Sequence, residues 1–134
     1  MTDGTTLDIG GVQETLRAFV RERDWEQFHD PKNLAMSLAI EAGELMELFQ
    51  WTRTGDAPAV MADPRKANAV REEMADVLTY LLRLADVLAV DLPAALQDKL
   101  AKNALKYPVH LARGNARKYD ELAGFSSEEK SPAS

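Results

Sequence analysis

The chain has 134 residues, 46% of them hydrophobic and 28% charged, with a net charge of −6 and no cysteine. This describes one globular domain; it excludes a disulfide framework and a thiolate metal site, and it argues against a broad surface for a nucleic-acid polymer. With two histidines, His29 and His110, a multi-histidine zinc site within one chain is not expected.

Met1 to Thr6 is small and polar, and is expected to be frayed. It lacks a basic residue followed by an apolar run, so it does not read as a signal peptide, and no apolar run approaches the roughly 18 residues of a membrane span. The expectation is a cytoplasmic protein. From Leu7 to Trp25, the positions Leu7, Val12, Leu16, Phe19 and Val20 recur at helical spacing, with Gly10-Gly11 expected to delay the start.

Asp30-Pro31 is a helix start, an N-cap acid followed by proline at the first helical position. The helix is expected to run to about Trp51. Leu34, Leu38, Leu45 and Leu48 lie on one side, and Ala35, Ala39, Ala42 and Met46 on another, so it reads as a helix buried on several faces. Thr52 to Asp63 contains Gly55 and Pro58 and reads as a loop. Asp63-Pro64 repeats the cap, and a second long helix is expected to about Ala89. Asp91-Leu92-Pro93 opens a fourth helix, which Pro108 disfavours continuing. His110 to Leu122 reads as irregular, and the tail (123–134) as disordered.

No strand pattern competes, and an all-α bundle of four to five helices follows, as one domain over residues 1–122. Two helices apolar on several faces carry more apolar surface than one small bundle can hide. This predicts a homo-oligomer assembled bundle on bundle.

Against that apolar background stand Glu41 and Glu44 on one helix, and Glu73 and Asp76 on the next. Residues three apart share a helix face, so each pair brings two carboxylates together. They sit on a solvated stripe, pair with Arg or Lys, or hold a metal. The double occurrence and the apolar flanks favour the metal, because an unpartnered buried carboxylate is very costly. Hard oxygen ligands without His or Cys point to Mg2+, with Mn2+ as a substitute. A di-iron bundle would want Glu-x-x-His on two helices, and neither His29 nor His110 is so placed.

The basic block Lys99, Lys102, Lys106, Arg113, Arg117 and Lys118 contains no acid. It either attracts a polyphosphate or complements a helix C-terminus. Trp25, Phe28, His29 and Trp51 flank the second helix, and such rings either stack on nucleobases or cap a core.

These residues resemble the MazG-like, all-α NTP pyrophosphatases. Glu41-x-x-Glu44 followed by Glu73-x-x-Asp76 is similar to that family's signature. The segments 23–29, 43–51 and 107–114, and Arg117-Lys118-Tyr119, resemble its dCTP pyrophosphatase branch. The resemblance implies hydrolysis of a deoxynucleoside triphosphate to monophosphate and diphosphate, with Mg2+, in a homotetramer or a dimer that clears unwanted nucleotides. It implies Glu41, Glu44, Glu73 and Asp76 as metal ligands and catalytic acids. It implies Trp25, His29, Asn33, Trp51, Tyr80 and Asn103 at the base or sugar, and Lys106, Tyr107, Arg113, Lys118 and Tyr119 at the phosphates. The broader family often has a further acid where Ile40 stands, whereas Glu72-Glu73 keeps the double acid in the second block. The rival expectation is a non-catalytic oligomerisation or nucleotide-sensing module.

Overall fold

The computed structural model describes residues 6–122. Residues 1–5 and the tail from 123, both expected to lack order, lie outside the described residues. Among the described residues five α-helices are delimited: α1 (Ile9–Glu22), α2 (Pro31–Glu47), α3 (Pro64–Val87), α4 (Leu92–Lys106) and α5 (Val109–Ala112). No strand occurs among the described residues, and no helix is long and apolar enough to cross a membrane.

Three helices begin on the aspartates that the sequence marks. The Asp30 carboxylate accepts from Lys32 N–H at 2.8 Å, that of Asp63 from Arg65 N–H at 3.0 Å, and that of Asp91 from Ala94 N–H at 3.0 Å. Each satisfies an N–H that the first turn leaves without an internal partner, and each is followed by proline in the first two positions.

α1 and α3 end alike. After α1, Trp25 N–H reaches Val20 C=O at 3.0 Å and Asp24 N–H reaches Arg21 C=O, with Asp24 at φ 54°. After α3, Val90 N–H reaches Ala85 C=O at 2.8 Å and Ala89 N–H reaches Asp86 C=O, with Ala89 at φ 53°. Both are Schellman caps with a non-glycine residue in the left-handed region.

The chain divides after Val90 into two compact units. In the first, α3 is the centre: α2, α1 and a 3₁₀ run (Thr54–Ala62) all pack on it. The core is Val20 from α1, Leu34 from α2, Val60 from the 3₁₀ run, and Ala67, Val70, Leu82 and Ala85 from α3. Leu34 and Leu82 are the most completely enclosed. The second unit holds α4 and α5, with the chain helical again over 119–122 and Leu122 buried.

Several details differ from the sequence reading. α1 starts at Ile9 and takes Gly10 and Gly11 inside, because Val12 N–H already bonds Asp8 C=O. α2 stops at Glu47, and residues 48–51 form turns that carry Trp51 out to 90% exposure. The stretch expected to be a loop forms the 3₁₀ run instead, and the stretch expected to be irregular contains α5. α2 is covered on one face only. Leu34 is buried and Leu38, Leu45 and Leu48 half-buried, whereas Ala35, Ala39, Ala42 and Met46 are exposed. A single chain supplies one surface for α2, that of α3, and the second apolar face is left open.

Candidate active site

The packing of α2 on α3 brings the two acidic pairs together. Carboxylate oxygens of Glu41, Glu73 and Asp76 lie within 4.8 Å of one another. Glu44, one turn beyond Glu41, borders Glu41 closely enough to perturb its ionisation. Among the described residues none of the four ion-pairs with Arg or Lys. Without a cation, the remaining way to ease the repulsion is to hold a proton. The Glu44 and Glu73 carboxylates, then burial, push the Glu41 pKa up to about 7.

Two oxygens test whether these residues fit a divalent metal. Oε2 of Glu41 and Oε2 of Glu73 are buried and have no hydrogen-bond partner. An unpartnered buried acceptor costs roughly 1–3 kcal/mol, and more when charged. Orphaned anionic oxygens in a cluster of hard donors suit Mg2+ or Mn2+.

Beside the acids is a cavity of about 330 Å³. α1 supplies Leu16, Phe19 and Val20, the link after α1 supplies Trp25 and His29, and α3 supplies Asp76, Thr79, Tyr80 and Arg83. Asp76 therefore belongs to both the cluster and the cavity. The left-handed turn at Asp24 reverses the chain so that Trp25 meets Phe19 edge to face, with ring centroids 5.9 Å apart. Arg23 lies over the Phe19 ring, 3.6 Å from its centroid.

The cavity lining also holds polar and charged groups, His29 and Arg83 among them. Arg83 is 5% exposed. Its Nε–H donates to His29 Nδ1 at 3.2 Å, and its Nη1 pairs with Asp86 at 3.3 Å. Arg17 Nε holds the same Asp86 oxygen at 2.9 Å. Burial first, and then the Arg83 charge, hold His29 below its ordinary pKa.

Of the residues singled out from the sequence, the cavity gathers Trp25, His29, Asp76 and Tyr80. Asn33 lies outside its lining, in the first turn of α2, where its amide donates to Phe28 C=O at 3.3 Å. Trp51 is also outside it, nearly fully exposed. Asn103, Lys106, Tyr107, Arg113, Lys118 and Tyr119 belong to the second unit, where Lys106 Nζ sits 5.2 Å from the Tyr119 ring centroid. The sequence reading missed Phe19, Thr79 and Arg83 as lining residues. A signal for two of them was present, since Thr79 and Arg83 follow Asp76 by three and seven positions and so share its side of α3.

Comparison with known proteins identifies the family and its relatives. Residues 36–122 match the MazG-like family model. The protein named dCTP pyrophosphatase 1 from Homo sapiens is 51% identical over 104 residues, covering 78% of this chain and 61% of that protein. Its Bos taurus counterpart is 50% identical over 112 residues, covering 82% of this chain and 66% of that protein. The chain thus spans less than two thirds of the length of these curated relatives. A solved pyrophosphatase from Archaeoglobus fulgidus DSM 4304 superposes with a TM-score of 0.70 at 41% identity, covering 81% of this chain and 99% of the other.

Proposed function

Because this chain belongs to the MazG-like family, we propose that it is a Mg2+-dependent nucleoside triphosphate pyrophosphohydrolase. The proposed reaction is dCTP, or a 5-modified dCTP, plus water to dCMP and diphosphate, a house-cleaning step on the cytoplasmic nucleotide pool. The observation that carries this reading is the junction at Asp76: an acid cluster with two orphaned buried oxygens opens onto a cavity of about 330 Å³ walled by aromatic rings. The relatives named dCTP pyrophosphatase 1 supply the base.

In this reading Glu41, Glu44, Glu73 and Asp76 would hold the ion. When bound, Mg2+ supplies neutralisation of the phosphate and leaving-group charge and an oriented water. The chain's own groups do the rest. Trp25 and Tyr80 bound the base, the apolar part of the lining limits access of bulk water, and His29 offers a polar contact. Glu44, an exposed carboxylate one turn beyond Glu41 on α2, is the proposed acceptor of the proton from the attacking water. Lys106, Arg113 and Lys118, with Tyr107 and Tyr119, are the proposed phosphate contacts of the second unit, supported by their charge and hydroxyl groups. Asn33, Trp51 and Asn103 are kept as proposed base or sugar contacts on the resemblance alone. Fixed donors and charges, rather than covalent chemistry, carry such a reaction.

The test is diphosphate release from a panel of deoxynucleoside triphosphates with Mg2+, then with chelator. Metal-dependent formation of a monophosphate, fastest with dCTP or its 5-modified forms, is expected. Binding without turnover would support the rival nucleotide-sensing module instead. Glu41→Gln and Asp76→Asn are each expected to lower kcat at least ~100-fold, about 2.7 kcal/mol of barrier, with helical circular dichroism unchanged.

A further inference from the structure

The buried guanidinium of Arg83 is used by neither the acid cluster nor the proposed proton transfer. It is 5% exposed, and a guanidinium cannot shed its proton, so its charge needs a partner in place. Asp86 is that partner, and Arg17 grips the same Asp86 oxygen from α1. The Arg83 side chain is thereby anchored at one end, and its Nε–H is aimed at His29 Nδ1 at 3.2 Å. Arginine only donates, so Nδ1 of His29 has to be the acceptor, with its lone pair free of a proton. The single proton of the neutral ring is then on Nε2, the nitrogen left for a ligand in the cavity that His29 lines.

We propose that Arg83 is a positioning residue that locks His29 in its Nε2–H tautomer, so that the cavity meets the nucleobase with a hydrogen-bond donor and selects an edge that accepts. The selection rests on the pyrophosphohydrolase reading above; the tautomer does not. A pyrimidine edge with an acceptor ring nitrogen, as in a cytosine, satisfies Nε2–H. One that presents N–H at the same place opposes donor to donor and leaves both unpaired. A site built on a buried hydrogen bond rejects such analogues more strongly than an apolar pocket can. The arrangement also makes specificity depend on α1: Arg17 holds Asp86, Asp86 holds Arg83, and Arg83 orients the ring.

Ring nitrogen NMR of the metal-free, nucleotide-free protein at neutral pH reads the tautomer directly. His110 is the only other histidine, so a His110→Gln background leaves one ring to assign. The expected spectrum shows an unprotonated Nδ1 and a protonated Nε2. Arg83→Met is expected to give a mixture of tautomers. It should raise KM for dCTP about tenfold, the equivalent of about one hydrogen bond. Turnover should stay within about threefold, a split that general loss of structure would not produce. If Arg83→Met does not fold, Asp86→Asn, which releases the anchor of Arg83, is expected to show the same tautomer mixing. A protonated Nδ1 in the parent protein, or a folded Arg83→Met with unchanged tautomer and KM, overturns the proposal. If the parent protein releases no diphosphate, the selection falls with the enzymatic reading, while the spectrum still decides the tautomer.

Discussion

At the scale of single residues, Glu41 is the group whose state most depends on what is bound. Its pKa is raised from 4.5 to about 7 by the Glu44 and Glu73 carboxylates and by burial. A raised carboxylate favours the protonated folded state. Its stabilising contribution is therefore fully present below pH 4.5 and is lost as pH rises through about 7. Metal competes with that proton, so apparent Mg2+ affinity is expected to strengthen as pH rises through about 7, with proton uptake into buffer measurable by calorimetry. Thermal unfolding with chelator should show the parent protein losing ground to Glu41→Gln over the same window, and Mg2+ should restore it. His29 works in the opposite sense, its lowered value contributing stability that is lost as pH falls below 6.5, so the Glu41→Gln comparison is what isolates the acid. Identical pH slopes in the two proteins would contradict the shared-proton account of the cluster.

At the scale of elements, the two Schellman caps differ in their compensation. Asp24 at φ 54° is a residue type that tolerates the left-handed region, and its carbonyl and carboxylate both accept from the Gln27 amide. Ala89 at φ 53° has no such side-chain bond to offset the crowding of its Cβ. Ala89→Gly is therefore expected to stabilise the protein by about 1 kcal/mol, read as a higher midpoint in denaturant with an unchanged slope. Asp24→Gly should gain less, since it forfeits the bond to Gln27. The Asp24 turn also aims Trp25 at Phe19, so loosening it bears on the cavity wall as well as on α1. The enclosed Leu82 sets the other end of the range. Leu82→Ala should cost about 2–5 kcal/mol, because α1 and α2 both depend on the surface of α3.

At the scale of the whole molecule, the outer face of α2 requires an account. Ala35, Ala39, Ala42 and Met46 are open in one chain, as are Ile40 and Met74 on the flanks of the acids at 58% and 57% exposure. Such a face is what the sequence pattern of a helix apolar all round predicts when one of its neighbours is a second copy. The proposed assembly is a homotetramer, with a dimer as the alternative. Light scattering is expected to give four times, or twice, the chain mass of 14.8 kDa. Ala39→Glu, which places a charge on the open face, is expected to reduce that mass without loss of helix signal. A parent protein that scatters as a single chain would remove the oligomer from the reading. Trp51, at 90% exposure, reports on the same question, since its emission should shift to the red if assembly that covers it is broken.

The sequence by itself determined the helices and most of their limits, because caps act within a few residues: Asp30, Asp63 and Asp91 each bond an N–H two or three positions ahead. It also determined the two acidic pairs, because three-residue spacing on a helix needs no tertiary information. Only the tertiary structure decided that Glu41 meets Glu73 and Asp76, since that depends on how α2 is set against α3 rather than on either helix alone. The same holds for Arg83, which reads in the sequence as one more helical cation and becomes a buried, anchored group only where α1, α3 and the link to α2 converge. Trp25 reaches the cavity through the left-handed turn at Asp24, and Trp51 lies outside its lining, exposed beyond the end of α2. Local hydrogen bonding and spacing are written along the chain. Burial, and the relations between groups tens of residues apart, arise only when the helices pack.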